Sequence, residues 1–204
     1  MPNRREILIG GVAAGALAAA PGVLRAAAHA TVVREVAAPY RVVVDERHAA
    51  ARALADAARA RGWPVSTIRG DVTALWYGEL ALRWREGPAP IVGMTSASAL
   101  FCLERLAWDA FMRLNLRIDH RGQRDGRVEH RLEAQPGLVA PGELAALARA
   151  DFAAALPPLL ARATRARRGR PATRTLAGAA GTLAPAPEEW LVSWSIGTRA
   201  PSAA

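Results

Sequence analysis

The chain contains no lysine: all 27 of its Lys and Arg positions are arginine, set against 18 acidic residues for a formal charge of +9 over 204 residues. Exclusive use of one basic residue is what a compositional bias of the genome produces, so the high pI is weak evidence for a nucleic-acid partner. Aromatic residues make up only 5%, few for base stacking, which argues against nucleic acid again. Cys102 is the single cysteine. No intramolecular disulfide can form, and a cysteine-ligated zinc or iron–sulfur site is excluded. Its place in the apolar run Leu100-Phe101-Cys102-Leu103 predicts a buried filler, not a nucleophile. His-Glu-x-x-His, Walker and Gly-x-Gly-x-x-Gly motifs are all missing beyond residue 30.

Residues 1–30 have a character of their own. Asn3-Arg4-Arg5-Glu6-Ile7-Leu8-Ile9 sets paired arginines before apolar residues, Gly10 to Ala20 is a stretch of small residues, and Ala28-His29-Ala30 offers the small-x-small pattern a signal peptidase reads. The segment resembles a twin-arginine (Tat) signal, the bacterial export tag of proteins that fold before crossing the membrane. The resemblance implies folding in the cytoplasm, then residence in the periplasm or outside the cell, and a mature chain of residues 31–204. The apolar core is too short and too rich in Ala and Gly for a comfortable span. No transmembrane helix is expected in the mature chain. Gly10-Gly11-Val12-Ala13-Ala14-Gly15 follows no strand and is not a dinucleotide loop.

The first half of the mature chain alternates strand and helix. Residues 41–44 form an apolar run ending at Asp45; His48 to Arg61 is alanine-rich and stopped by Gly62; Pro64 to Arg69 is a second strand. Asp71 caps a helix closed by Gly87-Pro88, Ile91-Val92-Gly93-Met94 is a third strand, and Thr95-Ser96-Ala97-Ser98 leads into a helix reaching about Asp109. This is the pattern of parallel strands with helices packed on the sheet.

The pattern then changes to period two. Met112, Leu114, Leu116 and Ile118 alternate with polar residues, a second such strand covers Arg127 to Ala134, and Arg124-Asp125-Gly126 joins them. The loop sets a register pairing Arg121 with Glu129, Asp119 with Arg131 and Arg117 with Glu133 on one face, and Ile118 with Leu132 and His120 with His130 on the other. Pro141 to about Arg162 is a helix that Pro157-Pro158 is expected to interrupt. The Arg, Ala, Gly and Pro-rich segment at about 162–188 reads as a mobile basic loop, and Glu189 to Gly197 as a strand with Trp190, Val192, Trp194 and Ile196 on one face, added to the sheet edge. Trp76, Trp84 and Trp108 are expected to pack in the core.

The fold expected is therefore a single α/β domain: a three-layer, parallel βαβαβα unit extended by an antiparallel hairpin and a C-terminal strand into a mixed sheet. The architecture resembles a flavodoxin or periplasmic-binding lobe, which implies no function. In such sheets ligands bind beyond the carboxyl ends of the strands. Those ends carry Asp45, Arg47 and His48, then Arg69 and Asp71, then Thr95, Ser96 and Ser98. Hydroxyls at a helix start beside an arginine suit a carboxylate or phosphate, so the leading reading is a periplasmic small-ligand-binding or accessory protein, with an exported protein as a second kind of partner. An alternative is a small hydrolase or transferase with Ser96 or Ser98 as nucleophile, His48 as base and Asp45 or Asp71 orienting it, although Gly93-Met94-Thr95-Ser96-Ala97 is not a nucleophile elbow. A further alternative is a metal held by His120 and His130, for which the hairpin supplies no third ligand. The sequence names no cofactor.

Overall fold

In a computed structural model, the structure describes residues 36–166 and 169–198. The Tat-like segment lies outside these residues. They fall within one compact unit, Glu35–Ala204. The strands are β1 (Arg41–Asp45), β2 (Val65–Ile68), β3 (Ile91–Ser96), β4 (Arg113–Gly122), β5 (Val128–Ala134), β6 (Ala172–Ala177) and β7 (Leu191–Gly197). The helices are α1 (Ala49–Arg59), α2 (Thr73–Leu75), α3 (Ala81–Arg85), α4 (Ala97–Asp109), α5 (Pro141–Leu147) and α6 (Phe152–Ala163), with a π-helical turn over Trp76–Leu80 joining α2 to α3. One seven-stranded mixed sheet runs in the order β2-β1-β3-β7-β4-β5-β6. Strands β2, β1 and β3 are parallel and the remaining pairings antiparallel, so the chain is α/β. Among the described residues no helix is long and apolar enough to cross a membrane.

Two apolar layers sandwich the sheet. On one face α1, α5 and α6 close over Val42, Val44, Val92, Met94, Leu116, Ile118 and Leu132. On the other, the α2–α3 segment and α4 cover Val43, Ile91, Val192, Trp194 and Ile196. Period-two strands with both faces apolar, such as Val42-Val43-Val44, are what a doubly covered parallel sheet requires. Gly93 lies under the Trp194 indole, and a Cβ there would meet both that ring and the Val43 carbonyl.

The hairpin has the register expected from its loop, with Ile118 opposite Leu132 and His120 opposite His130. Other expectations are corrected. The C-terminal strand lies not at the edge but between β3 and β4, buried along its whole length. Its Trp-Ser alternation reads as half-exposed, yet Ser193 and Ser195 are small enough to be buried under α6, which approaches closely because Gly197 sits against the Thr164 carbonyl. Leu114 faces the α4 side while Leu116 faces the α6 side, because the β4–β7 register slips between them and Asn115 bulges. Part of the segment expected to be a mobile loop is the edge strand β6, laid along β5. The chain breaks between α5 and α6, and Pro157 and Pro158 lie inside α6. Cys102 is exposed, not buried, because it sits on the outer side of α4; Trp108, 41% exposed, shares that outer surface.

Candidate functional site

From β1 the chain turns onto one face of the sheet as α1; from the adjacent, parallel β3 it turns onto the opposite face as α4. This divergence makes a topological switch point, the crevice where α/β sheets bind ligands. Val44 pairs with Met94, so the loops after β1 and β3 open side by side. Because β7 runs antiparallel to β3, its first residues arrive at the same end, and Ala97 N–H donates to the Trp190 carbonyl there.

Asp45 is fully buried and is held by Arg47: Nε donates to Oδ1 at 2.9 Å and Nη2 to Oδ2 at 2.6 Å, with the Arg47 N–H on Oδ1 at 3.3 Å. Burial pushes the carboxyl pKa up, but the hydrogen bonds and charge of Arg47 outweigh it, and the net shift is down. Asp45 is an ionised anchor whose oxygens are engaged. The Arg47 guanidinium rests on Gly70 of the β2–α2 loop, a left-handed glycine (φ +85°) whose missing Cβ leaves it room. Arg69 reaches across to Glu46 at 3.6 Å.

His48 stands at the N-terminus of α1 with its side chain 10% exposed. Its Nδ1 lies 3.3 Å from Glu189 Oε2, and its Nε2 lies 3.8 Å from Asp45 Oδ2, beyond hydrogen-bond reach. A carboxylate at Nδ1 holds a proton on that nitrogen, and the buried Nε2 has no hydrogen-bond partner. Glu189 also accepts the Ala186 N–H at 3.2 Å, which pins the loop before β7.

Ser96 is the N-cap of α4; its Oγ accepts from Ala99 N–H at 3.4 Å and contacts Ser98 Oγ at 3.1 Å. Among the described residues neither hydroxyl hydrogen bonds His48. Thr95 is buried, donating to the Ser96 carbonyl and accepting from Trp194 Nε1 at 3.0 Å. It supports the core and does not face the crevice. Asp71 is not the cap expected of it: the N-cap of α2 is Val72, and Asp71, one residue before it, accepts from both the N–H and Oγ1 of Thr73, bonds that lower its pKa.

The sequence-predicted residues therefore separate. Arg47 and His48 follow β1, Ser96 and Ser98 follow the adjacent β3, Arg69 pairs with Glu46, Asp71 is turned onto Thr73, and Asp45 and Thr95 are buried. Glu189 was not anticipated, because its strand was expected at the sheet edge. The pair Glu188-Glu189 directly before an apolar strand was the signal for it.

His120 and His130 are both buried under α6. Their Nδ1 atoms meet at 2.7 Å, His120 Nε2 meets Ser193 Oγ at 2.7 Å, and the Phe152 ring stacks against both imidazoles. Burial, assisted by the neighbouring His130, drives the His120 pKa well down. Burial takes His130 to about 4, opposed in part by the pull of the Leu147 carbonyl on the ring N–H. Among the described residues no three His, Cys, Asp or Glu side chains converge on a metal position. A groove of about 530 Å³ opens at the β4–β5 turn, lined by Arg124, Asp125, Arg127, Glu129 and Thr175.

Compared with protein-family models, curated proteins and solved structures, the chain finds no match.

Proposed function

We propose that the protein is an exported small-ligand-binding or accessory protein whose site is the switch-point crevice between β1 and β3. The observation that carries this reading is His48: nine-tenths buried, held at Nδ1 by Glu189, and unpartnered at Nε2. An unpaired buried nitrogen costs stability, and a ligand that bonds it recovers that cost. Two helix N-termini, the Ser96–Ser98 hydroxyl pair and the outer edge of the Arg47 guanidinium favour an anion, a carboxylate or phosphate, with His48 Nε2 hydrogen bonding to it. Export rests on the Tat-like pattern of residues 1–30.

Thermal denaturation of the protein in inorganic phosphate or succinate tests the site. Binding raises Tm, and the rise disappears in His48→Gln and Ser96→Ala. A wild-type protein indifferent to both anions, or variants that respond like wild type, would reject the reading. The second reading, a hydrolase or transferase, draws on the Glu189–His48 pair, since a carboxylate orients a catalytic imidazole in the same way. It requires a substrate or a shift of α4 to bring Ser96 or Ser98 to Nε2, and it predicts ester turnover that His48→Gln abolishes.

A further inference from the structure

Tyr77, Leu82, Phe101, Trp108 and Phe111 are exposed large apolar side chains, and all belong to the helical layer over the second face of the sheet. Three of them lie on α4 and the turn that ends it. Ala97, Phe101, Glu104, Arg105 and Trp108 follow the i, i+4, i+7, i+8, i+11 spacing of one helix stripe. The Arg105 guanidinium lies over the rings of Phe101 and Trp108, and that of Arg113 over Trp108. Aromatic rings laced with arginine are the composition of interface hot spots.

Phe111 adds a second observation. Met112 N–H bonds the Ala107 carbonyl and Phe111 N–H the Trp108 carbonyl, which closes α4 with a Schellman motif. Its left-handed position, φ +57°, normally belongs to glycine; here a phenylalanine occupies it with 84% of its surface exposed. The chain accepts backbone strain and an exposed ring at the same place, beside Trp108.

We propose that α4 is the interface of a twofold-symmetric homodimer. Charge selects a second copy of this chain as the occupant. Among the described residues neither Glu104 nor Arg105 has an ion-pair partner. In an antiparallel α4 pair centred between these two residues, Arg105 of each copy faces Glu104 of the other, and Phe101 faces Trp108. The stripe is thus self-complementary in both charge and shape, as a twofold interface requires. Phe111 then reaches the start of the second copy's α4, where Ala97 and Ser98 leave space. An anionic membrane fits less well, because Glu104 and Asp109 flank the ring cluster.

Sedimentation velocity on the protein tests the proposal. Wild type sediments as a dimer, and Trp108→Ala raises the dimer dissociation constant by about tenfold or more. Arg105→Glu and Glu104→Arg each become monomeric alone, because like charges then face one another. Mixing these two variants restores a dimer, since every facing pair is again opposite in charge. A wild type that stays monomeric throughout overturns the proposal, as does binding to anionic vesicles in its place. So does a dimer that Trp108→Ala leaves intact, or a mixture that fails to reassociate although both variants keep wild-type circular dichroism.

Discussion

The Nδ1 atoms of His120 and His130 meet at 2.7 Å in the centre of the α6-side core. At that distance one nitrogen must donate and the other accept, so at most one proton sits between the rings. His120 Nε2 is satisfied by Ser193, whereas His130 Nε2 has no partner. The pair is a neutral polar link across β4 and β5.

That neutrality makes stability depend on pH. In the unfolded chain each histidine takes up a proton near 6.5; in the folded chain His130 resists until about 4, and His120 is also held well below its ordinary value. Between those limits the unfolded state binds more protons, so stability is complete above about 6.5 and is lost as pH falls toward 4. For His130 the loss is on the order of 3 kcal/mol. Urea midpoints measured from pH 7.5 to 4.5 should fall in wild type and stay nearly level in His120→Leu/His130→Phe.

Arg47→Ala leaves the Asp45 carboxylate buried without its partner. Because Arg47 is itself half exposed, about 1–3 kcal/mol of stability should be lost in chemical denaturation. Adding Asp45→Asn should recover part of it, since an amide tolerates burial better than a bare charge. A double variant no more stable than Arg47→Ala would show that the pair does not act through Asp45.

Phe111→Gly should stabilise the folded monomer by about 0.5–1 kcal/mol, because glycine takes the left-handed C′ position without strain. The same change should weaken self-association. A variant that unfolds more readily would mean that the ring packs in the monomer, contrary to its exposure.

Replacing Arg4 and Arg5 together by lysine should stop export of a folded reporter fused to residues 1–30, because the paired arginines are the feature that resembles a Tat signal. Unchanged export would remove that resemblance as an explanation.

The parallel unit and the hairpin were legible in the sequence because local rules govern them: Gly62 and Gly87-Pro88 stop helices, and Arg124-Asp125-Gly126 sets a register. The position of β7 was not, because no local pattern says which strands a distant segment will join. Ser193 and Ser195 alternate with Val192, Trp194 and Ile196, and only the closeness of α6 explains their burial. The same non-local step hid Glu189 and hence the carboxylate that holds His48. The first side of the crevice could be read from His48 and Ser96 as helix starts; the second could not.

The central claim is that a small anion binds where β1 and β3 part. Amide chemical-shift mapping during titration with inorganic phosphate addresses it most directly. The account predicts saturable shifts concentrated at residues 46–50, at 96–99 and at Glu189. Shifts confined to the β4–β5 turn, or no saturable shifts anywhere, would contradict it.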